Sequence, residues 1–266
     1  MPKNQRFLLL ATAMAVSAIA SNAGAQEQTE AAAPSAAVDA RDISGIWEIW
    51  PDPFAGDENT FLELPVPGDG PNLKEPYATE WKNLRQERED LLMAGTPKVD
   101  PSTQCMPEGM PMIMGAIFPL EILQTPGQVT VLAEFLTQTR RIYIDAPMPP
   151  DEELIPNFYG YSTGHWDGDT LVVTTKGVKE EVRFFEIPHS LEMVITERIN
   201  VTGPDLMENE ITIEDPVMLK EPYTFTYGYR RNREYTMMEY FCDREDPLFK
   251  VNDDGTVEMK TGDEVG

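Results

Sequence analysis

The dipeptide Asp167-Gly168, set between two runs of strand-forming residues, constrains this chain more than any other feature. Asp-Gly flanked by β-formers is the strongest short-range hairpin signal, because tight hairpin turns need positive φ and glycine adopts it freely. It predicts paired strands over 158–166 and 170–175. The same pattern of short strands and turns continues on both sides, over 121–124, 129–136, 140–145, 191–201, 207–214, 223–230 and 235–241. Pro126-Gly127, Gly203-Pro204-Asp205 and Arg231-Asn232-Arg233 punctuate it. An opening strand over 43–50 begins with Gly45-Ile46-Trp47. One helix is expected at about 75–94, with Pro76 in its first turn, Tyr77, Trp81, Leu84, Arg88 and Leu91 at helical spacing, and Gly95 as its stop. Many short strands with a single helix predict a mainly β, antiparallel barrel or sandwich, with the helix capping or plugging one end.

The ends of the chain speak to location. Residues 1–25 read as a signal peptide: Lys3 and Arg6, an apolar run over 7–19, then Ala23-Gly24-Ala25 as a cleavage site. Residues 26–41 read as a disordered leader, and 42–266 as a single β domain. The expected location is periplasmic or secreted. No second apolar run reaches the length of a membrane span. Forty-six acidic residues against 21 basic ones give a net charge of −25, which repels nucleic acid and anionic lipid and otherwise means a solvated acidic surface. In an oxidising compartment Cys105 and Cys242 are expected to be bridged, the alternative being two buried thiols. The Pro-rich excursion over 51–71 is expected to be irregular, with at most a short strand over 61–64.

The segment from Gly164 to Val173 also resembles the "GHWEGDTLVV" signature of a group of exported bacterial proteins, with Asp167 standing where Glu is usual. Cys105-Met106-Pro107-Glu108-Gly109-Met110-Pro111 is similar to the Cys-x-Pro-x-Gly-x-Pro loop of that group. Ala133-Glu134, the run from Arg140 to Asp145, Glu197-Arg198, Glu214-Asp215-Pro216 and Glu239-Tyr240-Phe241-Cys242 follow in the expected order. Asp243 stands where a histidine often follows the last cysteine. The resemblance implies a lipocalin-like barrel with an internal cavity and carries no established activity.

Candidate site residues follow from the alternation of the hairpin strand. His165 shares a face with Tyr159, Tyr161 and Thr163, a combination suited to a cavity for a small hydrophobic or aromatic molecule. Trp166 lies on the opposite face and joins the ligand-binding set beside Arg140, which a short loop brings near Glu134 as an ion pair or a carboxylate clamp. The leading reading is a ligand-binding barrel. The alternative is a cofactor-free acid-base enzyme, an isomerase, cyclase or lyase, with His165 as base and Asp167 or Glu134 as its carboxylate partner. A third reading is an interaction protein using the acidic surface and the Pro-rich loop. The thioethers of Met106, Met110, Met112 and Met114 suit Cu(I), yet no histidine lies near them in sequence, and a proline-stiffened loop with Met filling apolar gaps explains them equally. No metal and no cofactor is expected, since phosphate-binding glycine loops, His-Glu-x-x-His, Gly-x-Ser-x-Gly and haem-attachment motifs are absent from the sequence. His189, after Pro188, reads as a loop residue.

Overall fold

Strand β1 (Gly45–Ile49) is joined by hydrogen bonds both to β2 (Leu120–Thr125) and to the last long strand, β9 (Tyr223–Arg231), so the sheet closes on itself. Between them run β3 (Gln128–Ala133), β4 (Gln138–Ile144), β5 (Tyr161–Asp167), β6 (Thr170–Lys176), β7 (Val194–Gly203) and β8 (Leu206–Glu214). The computed structural model describes residues 39–51, 66–115, 117–182, 184–242 and 249–259. Residues 1–38, which hold the expected signal peptide and most of the leader, and the expected strand over 61–64 lie outside the described residues. The nine strands make a closed barrel in sequence order.

The barrel is mixed rather than wholly antiparallel. Every neighbouring pair is antiparallel except β4 and β5, which run parallel with Ile142 opposite Ser162. The physical reason is the long connection over 145–160: it carries the chain back to the starting end, which a tight turn does not do. The hairpin after β5 is present, with one difference from the sequence expectation. Asp167 pairs with Thr170, so the two turn residues are Gly168, at φ +61°, and Asp169. This is the glycine-first form of the tight turn, one residue later than Asp-Gly alone suggests.

Alternation sorts the interior. Ile195, Glu197 and Ile199 point inward from β7 while Arg198 is exposed, and Met207, Asn209, Ile211 and Ile213 do the same from β8. On β5 the inward residues are the small ones, Ser162 and Gly164. A Cβ at Gly164 would stand 3.1 Å from Ile142 Cγ2 and 3.3 Å from both Ile144 Cδ1 and Leu171 Cδ1, which shows how full the interior is at this point.

Helix α1 (Tyr77–Met93) neither plugs nor caps the barrel: none of its residues is fully buried. It rests on the barrel by one flank, where Tyr77, Ala78 and Trp81 pack on the core and the Trp81 indole N–H donates to the Phe185 carbonyl at 3.0 Å. The plugging is done by the methionine loop. Met110, Ile113 and Met114 are wholly buried, and the inward-pointing Tyr229 donates its hydroxyl hydrogen to the Met114 carbonyl at 2.7 Å. Two of the four loop methionines therefore fill apolar space.

Residues 235–241 form no strand. They run as a strap over the outside, tied down where the buried Glu134 carboxylate accepts from the Tyr235 hydroxyl at 2.8 Å and from the Met238 N–H at 2.8 Å. The sulfurs of Cys105 and Cys242 are bonded, with Cα atoms 5.7 Å apart, so the strap is stapled to the loop ahead of Glu108. A last hairpin, β10 (Phe249–Val251) with β11 (Val257–Met259), turns at Asp254-Gly255, where the Asp254 carboxylate accepts from Thr256 N–H at 2.9 Å. Among the described residues no helix is long and apolar enough to cross a membrane.

Candidate functional site

The interior holds a polar cluster of its own. Arg140 of β4 and Glu197 of β7 have side chains with no exposure at all. Arg140 Nη1 donates to Glu197 Oε1 at 3.0 Å and Nη2 donates to Glu197 Oε2. Nη2 also donates to Thr175 Oγ1 at 3.0 Å and to Ser162 Oγ at 3.2 Å, and Asn209 Nδ2 donates to Glu197 Oε1 at 2.9 Å. The small inward residues of β5 are thereby explained, because Ser162 leaves the space that the guanidinium occupies. The cluster is a buried, two-pronged ion pair and a structural device. Within it, Asn209 Oδ1 has no partner among the described residues.

A second group stands at the barrel's edge. Glu108, in the loop between the two prolines 107 and 111, is half-buried in the wall of a cleft of about 370 Å3. The cleft lies between α1, the segment over 97–112 and the turn over 181–186, and Leu92, Met106, Met112 and Phe185 make its apolar surface. Gln138, the buried first residue of β4, fixes the loop: its Oε1 accepts from Glu108 N–H at 3.0 Å and from Gly109 N–H at 3.3 Å. Gly109 is required there, since it has φ +72° and a Cβ would stand 2.4 Å from the Phe158 carbonyl oxygen. The carboxylate itself receives one amide N–H, from Gln138 Nε2 at 3.4 Å.

Burial therefore dominates, and it pushes the Glu108 carboxyl up to about 7; the Gln138 hydrogen bond opposes this and the nearby Asp100 charge adds to it. Tyr159 is pushed up to about 12 by its own burial and then by the Glu108 charge, and Tyr227 is raised for the same two reasons with Tyr223 contributing. On the rim, Arg88 pairs with Glu186 at 3.1 Å and Lys98 with Glu87 at 2.7 Å. The arrangement offers a neutral or readily ionised carboxyl in a cleft of mixed apolar and charged lining, able to give or take a proton near neutrality.

The residues singled out in the sequence are dispersed. His165 is exposed and, with Tyr161 and Thr163, faces outward from β5; the pairing of β5 turns the small-residue face inward instead. Tyr161 stacks on Tyr143 outside the barrel, with ring centres 5.1 Å apart. Asp167 is exposed and lies 3.6 Å from Arg198. Trp166 is half-buried beneath the Arg41 guanidinium, 5.8 Å from its ring centre. Glu134 is committed to the strap, and its expected partner Arg140 pairs with Glu197. The described residues thus bring none of His165, Asp167 and Glu134 together, while Tyr159 alone comes under the influence of Glu108.

Sequence reasoning missed Glu108 as a site residue, although the loop that carries it was recognised. It also passed over His189, which is buried with Nε2 3.2 Å from the Val182 carbonyl oxygen and Nδ1 3.4 Å from that of Ser190. Burial lowers the His189 pKa against the pull of both carbonyls, Asp215 and Glu180. Among the described residues no cluster of three or more His, Cys, Asp or Glu side chains is arranged to hold a metal ion. No family model, no curated protein and no solved structure matches the chain.

Proposed function

We propose that this protein is an exported, periplasmic or secreted, lipocalin-like barrel of the "GHWEGDTLVV" kind that binds a small hydrophobic or aromatic molecule, and that the molecule sits in the cleft beside α1 rather than inside the barrel. The observation that carries the reading is Glu108: a half-buried carboxyl with one amide donor among the described residues, held up to about 7, in the wall of a cleft where Leu92, Met106, Met112 and Phe185 stand among charged side chains. Groups so perturbed in a cleft are where binding and chemistry concentrate. The disulfide between Cys105 and Cys242 supports an oxidising compartment. Because its proton comes off near neutrality, Glu108 also favours a second reading, an acid-base enzyme in which Glu108 takes the role first given to His165.

Native mass spectrometry of the protein purified from its own host without denaturation tests this reading. A retained small molecule is the expected result. Its affinity falls as pH rises from about 6 to about 8, since the protonated carboxyl that donates to it is lost, and Glu108→Gln flattens that dependence. A protein that carries nothing, or a ligand held equally across that range by both forms, overturns the reading.

A further inference from the structure

The neighbouring flank of α1 forms a second concavity, of about 490 Å3, against the turns that carry Asn72 and Lys220. Its two walls differ in kind. One is apolar, made by Pro71, Leu73, Ala78 and the ring of Trp81. The other brings together Lys82, Arg85 and Lys220 with a single lining carboxylate, Glu89. In a chain with 46 acidic and 21 basic residues, this is a local reversal of charge.

The walls are held by bonds that owe nothing to a ligand. The indole of Trp81 is oriented by its N–H bond to the Phe185 carbonyl, and the Arg85 guanidinium lies 5.5 Å from its ring centre. Lys220 is placed opposite the helix by backbone pairing: Lys220 N–H donates to the Asn72 carbonyl at 2.9 Å, Lys74 N–H to that of Met218 at 2.8 Å, and Leu73 pairs with Leu219. The adjacent Glu221 is turned to Asn72, whose Nδ2 donates to Glu221 Oε1 at 2.8 Å. Among the described residues neither Lys82 nor Lys220 is in an ion pair. Two lysines with no ion pair among the described residues, lining the same concavity as an aromatic ring, suit an amphipathic anion, apolar at one end and charged at the other.

We propose that this concavity is a binding site for a small aromatic monocarboxylate, with the ring against Trp81 and Leu73 and the carboxylate between Lys82 and Lys220. The site adjoins the Glu108 cleft, with Arg85 and Glu89 in the wall between them, and its proposed ligand contacts, Trp81, Leu73, Lys82 and Lys220, do not line that cleft; it stands or falls independently of the function proposed above.

Titration of the full, disulfide-bonded chain with 2-naphthoate, followed by calorimetry and tryptophan fluorescence, tests it. Saturable one-to-one binding is expected, weakened by about tenfold or more in Lys82→Glu/Lys220→Glu, whose two exposed positions leave the fold intact by circular dichroism. The neutral 2-naphthalenemethanol binds more weakly by a similar factor of about ten, and Trp81→Phe loses the fluorescence change. Absence of saturable binding, equal affinity in the charge-reversed variant, or equal affinity for 2-naphthylmethylamine overturns the proposal. So does displacement by inorganic phosphate at the same concentration, which would make it a plain anion site. Weakening by Glu108→Gln alone would move the ligand to the other cleft and overturn it equally.

Discussion

Two carboxyl groups taken out of bulk water, Glu197 and Glu108, meet opposite fates in this molecule. Glu197 lies in the middle of the barrel with three hydrogen-bond donations, two from the Arg140 guanidinium and one from Asn209, and Arg140 in turn is tied to Ser162 and Thr175. Glu108 lies at the edge with one long amide bond from Gln138 and an acidic neighbour in Asp100. The first is satisfied and has no donor or acceptor to spare for a guest. The second is under-satisfied and holds its proton. What separates the two is the number of donors around the carboxylate.

The comparison breaks most visibly if the staple is cut. The bond between Cys105 and Cys242 spans 137 residues, and removing it by Cys105→Ser/Cys242→Ser is expected to cost about 5 kcal/mol through the entropy of the unfolded chain. Denaturant midpoints with and without reductant measure it. The loop bearing Glu108 should loosen before the Arg140 cluster does, which amide exchange resolves.

Glu197→Gln leaves the Arg140 guanidinium buried without its counter-charge and is expected to cost about 3 to 5 kcal/mol, most of it recovered in Arg140→Met/Glu197→Leu. Chemical denaturation of the parent and the two variants decides this. A single variant as stable as the parent would mean the ion pair is hydrated and the contrast with Glu108 is false.

His189 sharpens the picture from the base side. Its folded pKa is lowered by burial, so the neutral ring is the folded form and the unfolded chain takes up the proton first. Stability from this group is complete above the unfolded value of about 6.5 and declines as pH falls below it. His189→Asn should flatten that acid limb in a series of denaturation midpoints. The smallest effect is expected at His165: His165→Ala, on an exposed outward position, changes stability by less than about 0.5 kcal/mol and leaves ligand retention unchanged.

Much of the barrel was legible in the sequence because strands write their burial in alternation. The hairpin at Asp167-Gly168, one residue out in its turn, and the run of strands over 191–214 follow from period two and turn chemistry. The pairing of Arg140 with Glu197 was not legible, because cross-barrel pairing depends on closure and on the parallel step from β4 to β5. The site failed for a related reason. Tyr161, Thr163 and His165 form the larger, more chemical face of β5, yet the interior takes the face of Ser162 and Gly164. Residues 235–241 looked like a strand by composition and became a strap because Glu134 and Cys105 hold them outside the sheet. Glu108 left little trace, since one carboxylate between prolines and a glycine looks like any loop until Gln138 and α1 are folded around it.

The Glu108 proton itself gives the most direct test. Carboxyl carbon NMR of glutamate-labelled protein, with Glu108→Gln assigning the resonance by its disappearance, follows the ionisation without reference to any ligand. A midpoint near 7 is predicted. As a linkage consequence, the stability this group contributes is present below its unfolded pKa of about 4.5 and is lost as pH rises through 7. A resonance that titrates near 4.5, as an ordinary exposed glutamate does, would remove the distinction between Glu108 and the surface carboxylates and contradict the placement of the site in this cleft.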